Sequence, residues 1–179
     1  MNTILTLALL TGSMAVAADP IAQIHDADVQ RVEREVLGLA QAMPADKYDF
    51  APTNGTFTGI RTFGLQVRHI ATYFYLISAS ILQEKPPVDT GATDNGPDSL
   101  KTKDQIIEYF KGAIAYAHKA VATLTQKNEL DSVPSPFGRG TMLRVEAAGI
   151  LGWHSYDHYG QMVVYARMNG VIPPASRQQ

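Results

Sequence analysis

The chain contains no cysteine, and this absence excludes several kinds of chemistry at once. Without thiolates there is no disulfide framework, no thiolate zinc site, no iron–sulfur cluster and no cysteine nucleophile. A basic excess is absent as well, because 15 Lys and Arg stand against 17 Asp and Glu, for a formal net charge of −2. A general nucleic-acid binder needs such an excess or a basic stripe. We therefore expect no nucleic-acid partner.

Apolar runs long enough to cross a bilayer are also lacking. A membrane-spanning helix needs about 20 consecutive apolar residues. Neither the short apolar run at residues 4–10 nor any later stretch meets that requirement. What is present is a chain of 179 residues, 45% of them hydrophobic, which suits one compact domain with a sizeable core. We expect no membrane span.

The N-terminal residues have the features of a secretory signal peptide. Residues 1–18 contain no charged side chain, and their apolar run is followed by the small residues 15–18, which form an A-x-A type cleavage site. Cleavage after Ala17 or Ala18 would release a mature domain of residues 19–179. The protein would then be exported, to the periplasm or the medium. Because no Lys or Arg precedes the run, an uncleaved apolar N-terminal arm stays open as the alternative.

Prolines divide the remaining chain into four long proline-free stretches, where helices can form. The predicted helices cover residues 26–42, 57–82, 102–124 and 140–169. Thr102 and Gln105 have the spacing of a capping box at the start of the third helix. Gly170, with prolines just beyond it, marks the end of the fourth helix.

The connections and the second helix complete the fold prediction. Residues 84–100 and 128–140 are rich in turn-forming residues and long enough to act as crossover connections or as a rim over a pocket. No stretch alternates between apolar and polar residues in the way of a strand. The second helix carries only Arg61 and Arg68 as charges, so we expect it to be mostly buried. The prediction is an all-α four-helix bundle with long crossover loops.

The features that point to chemistry are the five histidines. His154 and His158 are four residues apart on the fourth helix, so their rings leave the same face and two imidazole nitrogens can reach one metal ion. His69, on the second helix, is the natural candidate for a third ligand, which would leave one coordination position open to water. His25 and His118 read as structural or surface residues. Because such histidine pairs are also common on helix surfaces, spacing alone leaves metal binding open.

Several other metal and nucleotide motifs are missing. No Glu follows His154, so the zincin pattern and its general base are absent. No glutamate is followed three residues later by a histidine, which argues against a di-iron carboxylate bundle. There is no P-loop, no dinucleotide-binding glycine pattern and no nucleophile elbow.

Three segments carry a resemblance to a known family: residues 61–71, 154–161 and 165–174. They resemble the DinB/YfiT-like family of metalloenzymes, and in particular its exported branch. The resemblance covers essentially the whole mature chain and implies a four-helix bundle with a divalent metal on three histidines. By that resemblance, His69, His154 and His158 would be the ligands. The metal is commonly zinc or nickel in the family, while iron and manganese also suit imidazole ligands.

Other side chains near the predicted ligands have both a functional and a structural reading. Gln161, one turn beyond the histidine pair, could contact a ligand or substrate, or line a wet end of the bundle. Tyr73, one turn beyond the histidine of the second helix, could donate a hydrogen bond to a metal-bound group, although core packing also explains it. Asp157 could orient a ligand, but a position on a solvated strip explains it better. Trp153 is expected to pack away from the metal face.

The back of the fourth helix suggests self-association. Gly149, Gly152 and Gly160 lie opposite the histidine face, among apolar residues. Close helix contact, either inside the bundle or across a two-fold dimer, would explain these glycines. We predict a homodimer.

Three functional classes follow. The first is a metal-dependent enzyme of the thiol-dependent transferase or hydrolase type, since the family's known activities include transferases and isomerases that use low-molecular-weight thiols. The second is a non-catalytic metal- or ligand-binding protein of the cell envelope. The third is a metal-free helical interaction protein whose histidines are ordinary core residues. No motif names the substrate or the thiol, and a fold resemblance leaves the reaction open.

Overall fold

The computed structural model describes residues 18–177 of the chain. Residues 1–17, and with them nearly all of the predicted signal peptide, lie outside the described residues, so cleavage after Ala17 or Ala18 stays a prediction. The predicted first residue of the mature domain, Asp19, is the N-cap of the first helix. Its carboxylate accepts a hydrogen bond from the Ile21 N–H at 3.1 Å.

Four long helices account for most of the described chain. Helix α1 runs as an α-helix over Pro20–Val32, passes through a π-helical turn at Glu33–Leu37 and continues as Gly38–Ala42. The others are α2 (Phe63–Leu82), α3 (Lys103–Val121) and α4 (Arg144–Met168). Short 3-10 turns occupy Ala45–Lys47 and Pro174–Ser176. The prediction of an all-α fold with four helices is confirmed.

Two helices begin at other residues than predicted, and the residues at their first turns explain why. Helix α1 begins at Pro20, ahead of the predicted residue 26, because Asp19 caps it and proline is favoured in a first turn. Helix α2 begins at Phe63, later than the predicted residue 57, because the Thr62 hydroxyl caps it. The residues before Thr62 form a loop, so Arg61 lies outside the helix.

The predicted caps of the last two helices are present. The Thr102 hydroxyl accepts a hydrogen bond from the Gln105 N–H at 3.3 Å, and the Gln105 side chain accepts one from the Thr102 N–H at 3.0 Å. Helix α3 ends at Val121, short of the predicted residue 124. Gly170 follows the last turn of α4 at a φ of 74°, a left-handed conformation that glycine adopts without steric cost.

The expectation of a strand-free chain is wrong in one place. Strands β1 (Ser132–Pro134) and β2 (Thr141–Leu143) pair antiparallel, with Val133 opposite Met142. Because the strands occupy three residues each, they are too short to show an alternating pattern in the sequence. They also explain why α4 begins at Arg144 and not at the predicted residue 140. The connection before α4 is therefore a small hairpin.

Helix α2 is the most buried of the four helices. It packs against α3 and α4, and α1 packs against α4 and α3. Sixteen of the 20 residues of α2 are buried, which confirms the prediction for this helix, and Arg68 is among them at 7% exposed. The largest fully buried side chains include Phe63, Phe74 and Phe110. Within residues 18–177, no helix is long and apolar enough to cross a membrane.

Candidate metal centre

Three histidines from two helices meet at one point in the bundle. His69 lies in α2, and His154 and His158 lie one turn apart on α4. The Nε2 atom of His154 is 3.2 Å from Nε2 of His69 and 3.2 Å from Nε2 of His158. Each residue offers one ring nitrogen, and these three atoms lie within 4.8 Å of one another. The cluster is thus positioned to hold one metal ion.

These distances pass a simple test of fit. Zinc binds imidazole nitrogen at about 2.0–2.1 Å, so two nitrogens on one tetrahedral ion lie about 3.3 Å apart. The two measured separations of 3.2 Å agree with that spacing. Three nitrogens this close also face each other with lone pairs that hydrogen bonds between them cannot all satisfy. A cation at their centre resolves that conflict.

The backbone of the long connection after α2 sets the protonation of His69. Nδ1 of His69 lies 2.6 Å from the carbonyl oxygen of Asp94. Because a carbonyl oxygen only accepts, Nδ1–H is the donor, and in the neutral ring Nε2 then carries the free lone pair. This is the ring tautomer that a metal at Nε2 requires. Nδ1 of His154 and Nδ1 of His158 are buried without a hydrogen-bond partner in the described part of the chain.

Burial keeps the three rings uncharged. Desolvation lowers the pKa of His69 to about 4 and the pKa of His154 to about 3. It also lowers the pKa of His158. The positive charge of Arg61 acts in the same direction on all three pKa values. At neutral pH the imidazoles are therefore in the form that binds metal.

Arg61 holds the loop that contacts His69. Its Nη2 donates to the Asp94 carboxylate at 2.7 Å, and its Nε donates to the Asn95 side chain at 2.7 Å. Arg68 fastens the next part of the loop by donating to the Gly96 carbonyl at 3.0 Å. The 84–100 connection thus reaches the cluster, as the rim prediction allowed. Sequence reasoning missed this role of Asp94, since a backbone carbonyl has no side-chain signature.

Of the two predicted neighbours, Tyr73 contacts the cluster, while Gln161 contacts a residue of α2. The ring of Tyr73 makes edge contacts with the rings of His69 and His154, at centroid distances of 4.9 and 4.8 Å. The Gln161 side chain accepts a hydrogen bond from Nε2 of Gln66 at 2.9 Å. Gln66 is only 2% exposed and was not identified from the sequence. A polar residue three positions before the α2 histidine, on a helix expected to be buried, was the available signal.

The expectation that Trp153 packs against other residues is wrong. Its side chain is 59% exposed instead of packed, and its ring centroid lies 6.1 Å from that of His154. Position 153 falls on the outer side of α4, where no other helix covers it. Phe137, at the tip of the hairpin, is also exposed, and its ring lies 5.4 Å from that of Tyr73.

The remaining predicted residues fall outside the cluster. His25 is buried at 8% exposure, with its Nδ1 unpartnered among the described residues. His118 is half-buried, and its Nδ1 lies 2.6 Å from the Asp26 carboxylate, which links α3 to α1. Asp157 is exposed, as expected. Neither His25 nor His118 approaches the three converging rings.

A four-helix bundle that gathers three histidines from its second and fourth helices defines a class of helical proteins with a cluster positioned to hold a metal ion. Within that class, the family model of the DinB superfamily matches residues 7–162. The chain belongs to the DinB superfamily. No curated protein matches the chain.

Solved structures support the same fold. A crystal structure of a DinB-like protein from Bacillus cereus superposes with a TM-score of 0.63 at 17% identity, over 86% of this chain and 93% of that one. A DinB-like protein from Bacillus subtilis superposes with a TM-score of 0.59 at 18% identity, over 87% of this chain and 99% of that one. At such identities the likeness concerns the fold alone.

Proposed function

We propose that this chain binds one divalent metal ion through His69, His154 and His158 and acts as a metal-dependent enzyme of the thiol-dependent transferase or hydrolase type. The observation that carries the proposal is the convergence of the three Nε2 atoms, with neighbouring separations of 3.2 Å. Membership of the DinB superfamily supports it. The type of reaction rests on the thiol chemistry implied by the family resemblance.

The ligand set decides what the site can do. Three neutral imidazoles leave the charge of a divalent ion undiminished, so the ion would supply Lewis acidity to a group at its fourth position. The three rings would hold the ion. The Asp94 carbonyl keeps the His69 ring in the tautomer whose Nε2 is free to bind it. His154 is only partly buried, which leaves the cluster open on its side.

Tyr73 and Gln161 would act on a bound substrate. Burial raises the pKa of Tyr73, so its hydroxyl stays protonated and can donate a hydrogen bond. Among the described residues, this hydroxyl has no hydrogen-bond partner. Gln161 uses its oxygen to accept from Gln66, so its amide N–H groups remain available to a substrate oxygen.

Zinc and nickel are the metals that we propose first. Imidazole nitrogen suits both, and iron or manganese can occupy the same ligands, so availability in the compartment decides among them. The absence of a Glu beside the histidine pair disfavours the general base of a zincin. It therefore favours group transfer or binding over that kind of hydrolysis.

The experiment that tests the proposal is a measurement of metal content in protein purified without a histidine tag. We expect about one metal ion per chain in the wild type, and none in a His154→Ala/His158→Ala double variant. A His25→Ala/His118→Ala double variant is the matched control, because it removes two histidines outside the cluster. Wild-type protein that stays metal-free after reconstitution with zinc and with nickel would contradict the proposal.

Two alternatives have their own signatures. A non-catalytic metal-binding protein of the envelope would load metal, yet its cobalt-substituted form would keep one spectrum across pH and added thiols. A metal-free interaction protein would show no effect of chelators on its stability, and the His154→Ala change would alter its stability equally with and without EDTA. Catalysis itself is tested by screening the loaded protein against thiol-transfer and hydrolase substrates.

Export and dimerisation belong to the same proposal. An exported, periplasmic protein would be recovered with a mass that corresponds to cleavage after Ala17 or Ala18. A Cβ at Gly152 would lie 3.7 Å from Cβ of Asp28 on α1, an ordinary van der Waals distance, so this glycine faces α1 inside the bundle and not a partner helix. For Gly149 and Gly160 no described atom lies within 4 Å of such a Cβ, which leaves room for a partner helix. Sedimentation that gives only monomer at micromolar concentration would end the dimer proposal.

A further inference from the structure

Exposed aromatic side chains collect around the three-histidine cluster. Among the exposed large hydrophobic side chains of residues 18–177, three are aromatic, and two of them, Phe137 and Trp153, lie here. The Trp153 ring is 6.1 Å from that of His154. The Phe137 ring is 5.4 Å from that of Tyr73, which in turn is 4.8 Å from that of His154. Grouped exposed aromatics of this kind mark binding surfaces.

Packing alone does not account for these positions. Phe137 is 49% exposed and Trp153 is 59% exposed, so each leaves much of its ring in water. The base of the hairpin is anchored by a hydrogen bond from the Ser80 hydroxyl to the Pro134 carbonyl. Its tip then extends through Gly138 at a φ of 116°, a position where no described atom lies within 4 Å of a Cβ. The hairpin therefore presents Phe137 beside the ring of Tyr73.

We propose that Tyr73, Phe137 and Trp153 form an aromatic rim that binds the flat apolar group of a substrate whose polar atom reaches the cluster beside His154. This inference rests on the proposed metal site and names the class of substrate for that site. Aromatic rings attract one another in edge and offset arrangements at centroid distances of about 4.5–7 Å. An aryl or benzyl group between the rim residues would make such contacts.

Charge favours an apolar group over a cationic one. Aromatic rings also bind organic cations, so both must be considered. The three rim side chains carry no charge, and the Arg61 guanidinium beside the cluster is paired with the Asp94 carboxylate at 2.7 Å. A divalent ion on the histidines would add positive charge that this ion pair does not offset. A cationic substrate group would be repelled by that ion.

The test measures thiol binding to the cobalt-loaded protein by its thiolate-to-cobalt absorption. The probes are benzyl mercaptan, 2-mercaptoethanol and the cationic thiocholine. We expect the wild type to bind benzyl mercaptan about tenfold more tightly than 2-mercaptoethanol. Phe137→Ala and Trp153→Ala should each lower that ratio about three- to tenfold, since each removes one aromatic pair. Affinity for 2-mercaptoethanol should stay within about twofold in both variants, which a general structural defect would not allow.

Leu130→Ala is the matched control, because Leu130 is a 67% exposed apolar side chain on the same connection. This variant should keep the wild-type ratio. An unchanged ratio in both rim variants, or tighter binding of thiocholine than of benzyl mercaptan, would overturn the rim. If no thiol produces the absorption in metal-loaded wild-type protein, the result contradicts both the proposed open coordination position and the rim that depends on it. If every thiol produces the absorption band but the wild type binds benzyl mercaptan no more tightly than 2-mercaptoethanol, the result contradicts the rim and leaves the open metal position intact.

Discussion

The backbone carbonyl of Asp94 accepts a hydrogen bond of 2.6 Å from Nδ1 of His69. The contact joins a loop residue to the middle of a buried helix, and it orients the ring whose other nitrogen faces His154. Hydrogen bonds of this kind to the outer nitrogen of a metal-binding histidine hold the ring in place and increase its basicity. The loop is therefore part of the site, although it contributes no ligand.

Displacing this loop should weaken metal binding. Gly96 has a φ of 76°, and a Cβ there would come 2.5 Å from the Thr72 hydroxyl. We expect Gly96→Ala to shift the loop away from His69 and to lower metal affinity about 10- to 100-fold. Competition with a chromogenic chelator measures this.

Gly170→Ala is the control that separates the effect of the clash with Thr72 from the effect of placing alanine in a left-handed backbone conformation. Gly170 has a similar φ of 74°, but no described atom lies within 4 Å of its Cβ position. We expect this variant to lose some stability and to keep its metal affinity. An equal loss of affinity in the two variants would mean that Asp94 does not support the site.

Acid should destabilise the metal-free protein. The pKa of His69 is about 4 and the pKa of His154 about 3 in the folded state, both below the ordinary value of 6.5. The unfolded chain therefore binds more protons than the folded one below pH 6.5, and the free energy of unfolding falls as pH is lowered from there to about 4. Above pH 6.5 these groups contribute no slope.

Urea unfolding of chelator-treated protein between pH 8 and pH 4 measures this dependence. Each extra proton bound by the unfolded chain adds about 1.4 kcal/mol per pH unit to the slope. The His154→Ala/His158→Ala variant lacks two of the groups and should have a shallower slope. A slope equal to that of the wild type would show that these rings are not buried in the neutral form.

Fluorescence offers a direct report on metal binding. The chain has a single tryptophan, and the ring of Trp153 lies 6.1 Å from that of His154. Titration with nickel should quench its emission to an end point near one equivalent, because paramagnetic ions at short range are efficient quenchers. The His154→Ala/His158→Ala variant should give no saturable quenching. Saturable quenching in that variant would point to a different metal site.

The capping box of α3 provides a stability prediction away from the site. The Thr102 hydroxyl accepts a hydrogen bond from the Gln105 N–H, and the Gln105 side chain returns one to the Thr102 N–H. We expect Thr102→Ala to lower the free energy of unfolding by about 1 kcal/mol, while Thr102→Ser retains most of it. Metal content should be unaffected. Equal stability of the Ala and Ser variants would show that the cap contributes nothing.

Local sequence determined the parts of this protein that depend on neighbours along the chain. Thr102 and Gln105 predict a helix start because three residues of helix bring one side chain to the other's backbone. His154 and His158 share a face because they are four residues apart on a helix. Asp19 and Pro20 carry a helix-start signal of the same kind, but the predicted start of α1, at residue 26, lies later in the chain than this signal.

Only the tertiary structure decided how distant residues meet. His69 and His154 are 85 positions apart in the chain, and helix packing brings their Nε2 atoms within 3.2 Å. The carbonyl of Asp94 could not be predicted, since every residue has such an oxygen and only the path of the loop aims this one at His69. The exposure of Trp153 depends on which sides of α4 other helices cover. Spacing along a helix is fixed by backbone geometry, whereas contacts between helices depend on the packing of the whole core.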